Sequence, residues 1–266
     1  MGEDASRAAY DGVLVRRFGH VAELVLDRPA ARNAISTALA RSLSAACAAV
    51  AADPAVRAVV LSATGAAFCV GADLKERAGL TDNELLAQRP AFRAAFGGVL
   101  GLPQPTVAAV HSYALGGGLE LALSCDLIVA DETAVLGLPE VTVGLVPGGG
   151  GTQLALRRLG AARAADLVLT GRRVEIEEAE RLGLVDRRVP AGEARPAAME
   201  LAQRIAANSP VGVRAAKRAL RTGAGVDLAA GLEIEDAAWR TVAFSADRKE
   251  GIAAFNSKRT PDWPGE

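Results

Sequence analysis

Ala114-Leu115-Gly116-Gly117-Gly118-Leu119-Glu120 joins a short apolar run, Thr106 to Val110, to an apolar helical segment, Leu119 to Ser124. Glycine has no Cβ, so another molecule can approach its backbone closely. A helix start presents N–H groups without intrahelical partners, and the aligned peptide dipoles make that end positive. A glycine turn entering a helix therefore suits an oxygen that gains negative charge. Glu120 stands one helical turn past Gly117, so its carboxylate can lie over the same turn as an acid or base. The pattern also fits a plain strand-to-helix turn with an incidental glutamate, so the rest of the chain has to decide.

The chain has 266 residues, 50% of them hydrophobic, enough for one large domain or slightly more. A formal net charge of −1 and dispersed basic residues argue against nucleic acid as the main partner, and 4% aromatics is too few for a base-stacking platform. Cys47, Cys69 and Cys125 are odd in number, far apart and set among apolar residues. They give neither a disulfide framework nor a zinc pattern, and read as small buried hydrophobes in a reducing compartment. Residues 94–119 carry no formal charge, but Pro103, Pro105 and repeated glycines interrupt them, so no membrane span is expected. The acidic start lacks a secretory-signal pattern. Met1-Gly2 with Ser6 formally matches a myristoylation pattern, against which Glu3 and Asp4 favour a short tail. A cytoplasmic location is expected.

Outward from the central turn, strands and helices alternate. Val13 to Phe18 and Val21 to Leu26 read as strands joined at Gly19-His20, with His20 exposed in the turn. Ser36 or Thr37 starts a helix to about Ala52, with Leu39, Leu43, Cys47 and Val50 at helical spacing. Val56 to Ser62 is nearly all apolar, as in a strand covered on both faces. Residues 77–91 are polar and mixed and suggest a mobile segment or broken helix, with a helix following to about Leu100. Strands are expected at Asp126 to Ala130, near Ala134 to Leu136, and at Leu184 to Val189. Pro147 to Gln153 holds a second glycine turn, before helices at Gln153 to Leu159, Ala161 to Leu169 and Ile176 to Arg181. From about Arg195 the pattern is all helical, with Ser209-Pro210 and Ser245 as helix starts. The order implies an α/β fold with a helical C-terminal module, 1–194 and 195–266.

Several chemistries are excluded. No lysine follows a glycine run as in a P-loop, no Gly-x-Ser-x-Gly nucleophile turn occurs, and no His-Glu-x-x-His occurs. Two histidines leave little for a triad or a metal, and His111 reads as packing or hydrogen bonding. Carboxylates and backbone amides remain. Glu140 follows Gly137-Leu138-Pro139 in an otherwise apolar stretch, where a glutamate is paired, neutral or functional, unless it simply follows a proline in a surface loop.

Six pieces stand in order: Leu26-Asp27-Arg28-Pro29 with Asn33-Ala34; Phe68 to Lys75; Gly116 to Glu120; Cys125-Asp126; Gly137 to Glu140; and Gly144 to Gln153. Together they make the chain resemble the enoyl-CoA hydratase/isomerase (crotonase) family along nearly its full length. The resemblance implies a spiral of strand-strand-helix turns forming two sheets, then a helical trimerisation module, assembled as a homotrimer or dimer of trimers. It implies an oxyanion hole from the amides of Ala72 and Gly117, with Glu120 and Glu140 as the catalytic pair. It places coenzyme A, which enters only as part of the substrate, near Ala72, Asp73, Leu74 and Lys75, with Phe255 and Lys258 reaching a neighbouring subunit's ligand. No metal and no separate cofactor are implied. Hydration of a trans-2-enoyl-CoA is the first expectation, because both glutamates are present. A Δ3,Δ2-enoyl-CoA isomerase or another enolate reaction is the alternative, and RNA binding, known for some relatives of this fold, is the remote one. The chain departs from the family at His111-Ser112, where Asn-Gly is frequent, and at Asp27, where Asn is common. Pocket walls are expected from 77–100.

Overall fold

The computed structural model describes residues 8–266; the Met1-Gly2 pattern lies outside the described residues. Strands β1 (Ala8–Tyr10), β2 (Val13–Phe18) and β3 (Val21–Leu26) form an antiparallel meander, and α1 (Thr37–Ala52) returns the chain to β4 (Ala58–Ala63), parallel to β3. Ser36 caps α1 by accepting from the Leu39 amide. Next come α2 (Leu74–Ala78), α3 (Asp82–Leu100), β5 (Thr106–Val110), β6 (Tyr113–Leu115), α4 (Gly117–Ser124), β7 (Leu127–Asp131) and β8 (Val135–Gly137). The spiral ends with α5 (Gly151–Leu159), α6 (Ala161–Thr170), β9 (Arg173–Glu175), α7 (Ile176–Leu182) and β10 (Arg187–Val189). Four helices follow: α8 (Ala194–Ala206), α9 (Pro210–Gly223), α10 (Leu228–Ala243) and α11 (Ala246–Asn256).

Successive turns feed two sheets. The larger has the order β1-β2-β3-β4-β5-β7-β10 and the smaller β6-β8-β9. Thus β5, β7 and β10 extend the first, while β6, β8 and β9 build the second. Alternate residues of the large sheet serve different cores. Val59, Leu61, Ala108 and Val110 face the main core, whereas Ala58, Val60, Val107 and Ala109 face a second one under Ala198, Ala202 and Ala206 of α8. Two covered faces explain why β4 and β5 read as continuous apolar runs. Alanines at every fourth position let α8 lie close to the sheet, and the boundary expected at 194/195 falls after the first residue of this sheet-covering helix.

The region 77–91, expected to be a mobile segment or broken helix, is the second of these: the end of α2, an interruption at 79–81 and half of α3. Thr81 and Glu84 form a reciprocal capping box at the start of α3. Gln88 Nε2 donates to Thr37 Oγ1 (2.8 Å) and Glu76 Oε2 (3.1 Å), stitching α3 to α1 and α2. Polar residues here make contacts that a count of apolar periodicity does not register. The strand expected at Leu184 to Val189 is shorter, Arg187–Val189, and β1, β6 and β9 add short strands that the sequence did not announce.

The Cys125-Asp126 piece ties the helical tail to the spiral. Asp126 Oδ2 accepts from the Thr106 amide (2.7 Å) and Lys217 Nζ (2.8 Å), and Oδ1 from Arg221 of α9 (2.7 Å). Burial opposes the Asp126 charge, but Lys217 and Arg221 hold its carboxyl below the ordinary range. Asp247, 1% exposed, accepts from Ser209 Oγ (2.6 Å) and the Gly265 amide (2.7 Å), joining α9, α11 and the C-terminus. His20 is exposed with Nδ1 2.9 Å from the Ala55 carbonyl, and His111 Nε2 lies 3.0 Å from the Gly65 carbonyl. Both are structural, as expected. The three cysteines are buried and unpaired. No helix among the described residues is long and apolar enough to cross a membrane.

Candidate active site

The sequence pieces converge by making close main-chain approaches. Asn33, fully buried at φ 56°, accepts from the Arg28 amide and donates to the carbonyls of Thr64 (2.8 Å) and Ala67 (2.9 Å). Arg28 pairs with Asp73 at 2.6 Å, while the other Asp73 oxygen caps α2 through the amides of Lys75 and Glu76. These contacts fix the loop carrying Gly71 and Ala72. The loop runs beside β6: the Cys69 amide donates to Tyr113 and the Leu115 amide to Cys69, both at 3.0 Å.

Gly71 adopts φ 96°, and a Cβ there would stand 3.0 Å from the Leu115 carbonyl and 3.3 Å from the Gly117 nitrogen. A side chain would hold apart the two segments whose amides are expected to act together. Ala72 makes an isolated parallel bridge with Ile35. The bridge bonds use the Gly71 carbonyl and the Asp73 amide, leaving the N–H of Ala72 itself unused. Gly117 is the first residue of α4, so its N–H has no intrahelical partner. Both residues line a cavity of about 840 Å³, within the usual range of small-molecule sites.

The carboxylates reach the same cavity from different elements. Glu120 lies on α4, every residue of which is buried, and is itself 3% exposed. Its Oε1 accepts from the amides of Gly149 (2.6 Å) and Gly151 (2.7 Å). This contact is the purpose of the second glycine turn, which the sequence showed only as a turn. A Cβ on Gly149 would stand 2.7 Å from the Phe96 ring, and one on Gly151 2.9 Å from Glu120 Oε1. Glu140 follows from strand pairing. Parallel β6 and β8 match Leu115 with Gly137, so both strands end at the same edge. A 3-10 turn, Pro139–Val143, then places Glu140 Oε1 3.0 Å from where a Cβ of Gly116 would stand.

The two acids differ electrostatically. Burial pushes the Glu140 carboxyl up to about 7, and the charge of Glu120 adds to the rise. Glu140 Oε2 is buried and accepts nothing from the protein, leaving lone pairs for a reactant. Burial also raises the Glu120 carboxyl, against which the amides of Gly151, Gly149 and Gly148 and the charge of Arg89 pull it back. Glu120 is thus the better-held anion and Glu140 the readier proton donor.

Of the expected site residues, the cavity wall brings together Ala72, Leu74, Gly117, Glu120 and Glu140. Asp73 and Lys75 do not line it; Asp73 is committed to Arg28 and the α2 cap. Phe255, 83% exposed at the end of α11, and Lys258 beyond it also lie away from this wall. The wall from 77–100 includes Arg77, Leu85, Leu86, Arg89, Phe92 and Phe96, as expected of that region. The departures from the family pattern are accommodated: Ser112 adopts φ 50°, a conformation that suits glycine, and Asp27 accepts from Thr64 Oγ1 at 2.7 Å.

Comparison with known proteins agrees with this geometry. A family model described as enoyl-CoA hydratase/isomerase matches residues 17–266. The chain is 42% identical to the enoyl-CoA isomerase/hydratase fer4 of Mycosarcoma maydis, over 92% of this chain and 93% of that one. It is 41% identical to the 2,3-dehydroadipyl-CoA hydratase of Escherichia coli (strain K12), over 95% and 98%. The crystal structure of an enoyl-CoA hydratase from Bacillus anthracis superposes with a TM-score of 0.93 at 42% identity, over 96% of this chain and all of that one. With the spiral fold, the free amides and the paired glutamates, this likeness means that the chain belongs to the enoyl-CoA hydratase/isomerase family and is an enzyme acting on acyl-CoA.

Proposed function

We propose that the protein adds water across the double bond of a trans-2-enoyl-CoA to give a 3-hydroxyacyl-CoA. The observation that supports this most is the pair of acids facing one cavity in unlike states: Glu120 held by main-chain amides, and Glu140 raised to about 7 with an unengaged oxygen. In this reading the thioester oxygen accepts from the amides of Ala72 and Gly117. Charge builds there as water attacks C3, so donors already fixed in place favour the enolate-like state over the neutral thioester. Glu120 takes the proton from water, and Glu140 delivers a proton to C2. Isomerisation needs only one group to move a proton between carbons and leaves the second acid unused.

The reaction uses no cofactor beyond the coenzyme A of the substrate. The exposed apolar side chains of Leu220, Leu228, Trp239, Phe244 and Ile252 support a homotrimer or paired trimer, with Phe255 and Lys258 set against a neighbour's ligand. A cytoplasmic role in fatty-acid β-oxidation is the accompanying expectation. Incubation with a pure trans-2-enoyl-CoA and, separately, a trans-3-enoyl-CoA tests the assignment. Accumulation of 3-hydroxyacyl-CoA from the first supports hydration; conversion of the second alone replaces it with isomerisation.

A further inference from the structure

One aromatic ring touches both turns on which the chemistry depends. Phe96, on α3 and 5% exposed, stands between the glycine turn that opens α4 and the glycine turn that holds Glu120. A Cβ on Gly149 would stand 2.7 Å from each of Cδ1, Cδ2 and Cε1 of that ring. A point equally close to three ring atoms lies over the ring's centre, so Gly149 rests on the flat face and no side chain fits between them. The N–H of the same Gly149 donates to Glu120 Oε1 at 2.6 Å. At the far end of the ring, Cζ lies 3.4 Å from where a Cβ of Gly117 would stand, with Ile35 Cδ1 3.1 Å from that point. The helix beneath the ring is itself seated: a Cβ on Gly98 would stand 3.2 Å from Cys47 Cβ of α1. The turn has no such support of its own. Gly148, Gly149 and Gly150 have no side chains to pack, and Gly150 takes φ 118°. Consecutive glycines have wide backbone freedom, so the place of the Gly149 amide depends on what it leans against. A Cβ on Gly148 would meet Arg89 Nη1 at 2.8 Å, but that is the end of a flexible, exposed side chain that can swing aside. The buried ring cannot.

We propose that Phe96 is a positioning residue whose ring sets the spacing between the Gly117 amide, donor to the thioester oxygen, and the Gly149 amide, which orients Glu120. This rests on the hydration reading, in which both groups act on one substrate, and extends it to a residue outside the acids and amides. Charge on the thioester oxygen and loss of the water proton belong to the same attack, so the donor and the base have to be in register. A misplacement of about 1 Å costs on the order of 10²-fold in rate. An aliphatic side chain of similar volume fills the space but offers Gly149 no flat face.

The test uses F96L and F96M, which keep most of the buried volume and lose the flat face. With trans-but-2-enoyl-CoA, each should lower kcat per folded molecule by about 10–100-fold and leave KM within about threefold of wild type. Normal kcat in both variants overturns the inference. So does a rise in KM that grows with acyl length while kcat is kept, which makes the ring a wall of the acyl pocket. A lower melting temperature with kcat unchanged leaves Phe96 a core residue only and also overturns it. G149A drives a Cβ into the ring and should lose a similar factor, and F96L/G149A should be no slower than the slower single variant, because both changes act on one contact. Losses that multiply show two separate effects and refute the inference. Butyryl-CoA, which has no double bond to hydrate, reads the Gly117 side without turnover, through the infrared stretch of its bound thioester carbonyl. A smaller downshift in F96L than in the wild type supports the spacing role even where the wild type makes no 3-hydroxyacyl-CoA, a result that would refute hydration alone. An equal downshift refutes the spacing role while leaving hydration in place.

Discussion

At the residue scale, Glu120 and Glu140 have different chemical surroundings and should fail differently. E120Q and E140Q should each reduce hydration by about 100-fold or more while acyl-CoA still binds, as followed by kcat/KM and by calorimetry. Near-normal turnover in either variant removes that residue from the mechanism. The alkaline limb of the kcat/KM profile should fall through about 7, because a proton donor raised to that value is lost as pH increases. Glu140 also carries a stability consequence of definite sign. Its carboxyl binds the proton more tightly folded than unfolded, so the stabilising proton is fully present below the ordinary carboxyl range and is lost as pH rises through about 7. Above neutrality E140Q should therefore be more stable than the wild type, by up to about 3 kcal/mol, with the gap closing near pH 5. Denaturant melts at the two pH values measure this. The apolar surroundings of Glu140 made it conspicuous in the sequence and left a neutral carboxyl open, but the extent of the rise was not legible, because the residues that bury it come from other elements.

At the element scale, the glycine run 148–151 acts as a holder for Glu120. G151A puts a Cβ 2.9 Å from both Glu120 Oε1 and Pro147 Cβ, so it should lower kcat by about 10²-fold or more, with some loss of stability from the overpacking. A variant with normal kcat would show that these amides do not set the acid. D126N removes the partner of Lys217 and Arg221 and should destabilise the fold by about 3–5 kcal/mol, read from denaturant midpoints. The long periodic elements were visible in the sequence because burial of one stripe or one alternating face writes itself into residue order. This holds for the stripe of α1, whereas β4 and β5, covered on both faces, showed as continuous apolar runs. The strands β6 and β9 are three residues each, too short to show a period, and β6 positions the site; β8, equally short, was expected near Ala134 to Leu136. The Thr81–Glu84 capping box was a readable signal for α3 that apolar periodicity alone passed over.

At the scale of the whole molecule, two sheets grow together as the spiral advances, and the cavity lies where their connecting loops meet α3 and α4. Composition argued against nucleic-acid and metal chemistry without naming a reaction; the order of six short pieces named the family, because each supports a close approach another depends on. Phe96 was not singled out, since an aromatic among apolar residues reads as core until its neighbours are known. The exposed apolar residues of α9, α10 and α11 make a further prediction: F244D, at a side chain 83% exposed, should shift the assembly toward monomer in light scattering. If Lys258 serves a neighbour's ligand, K258A should raise KM with kcat retained.

The most direct test is a crystal structure of the protein with an unreactive acyl-CoA. The thioester oxygen should lie about 2.7–3.1 Å from both the Ala72 and Gly117 nitrogens, with C3 facing Glu120 and Glu140. A thioester bound away from either amide, or turned so that its β-carbon faces neither acid, would contradict the account.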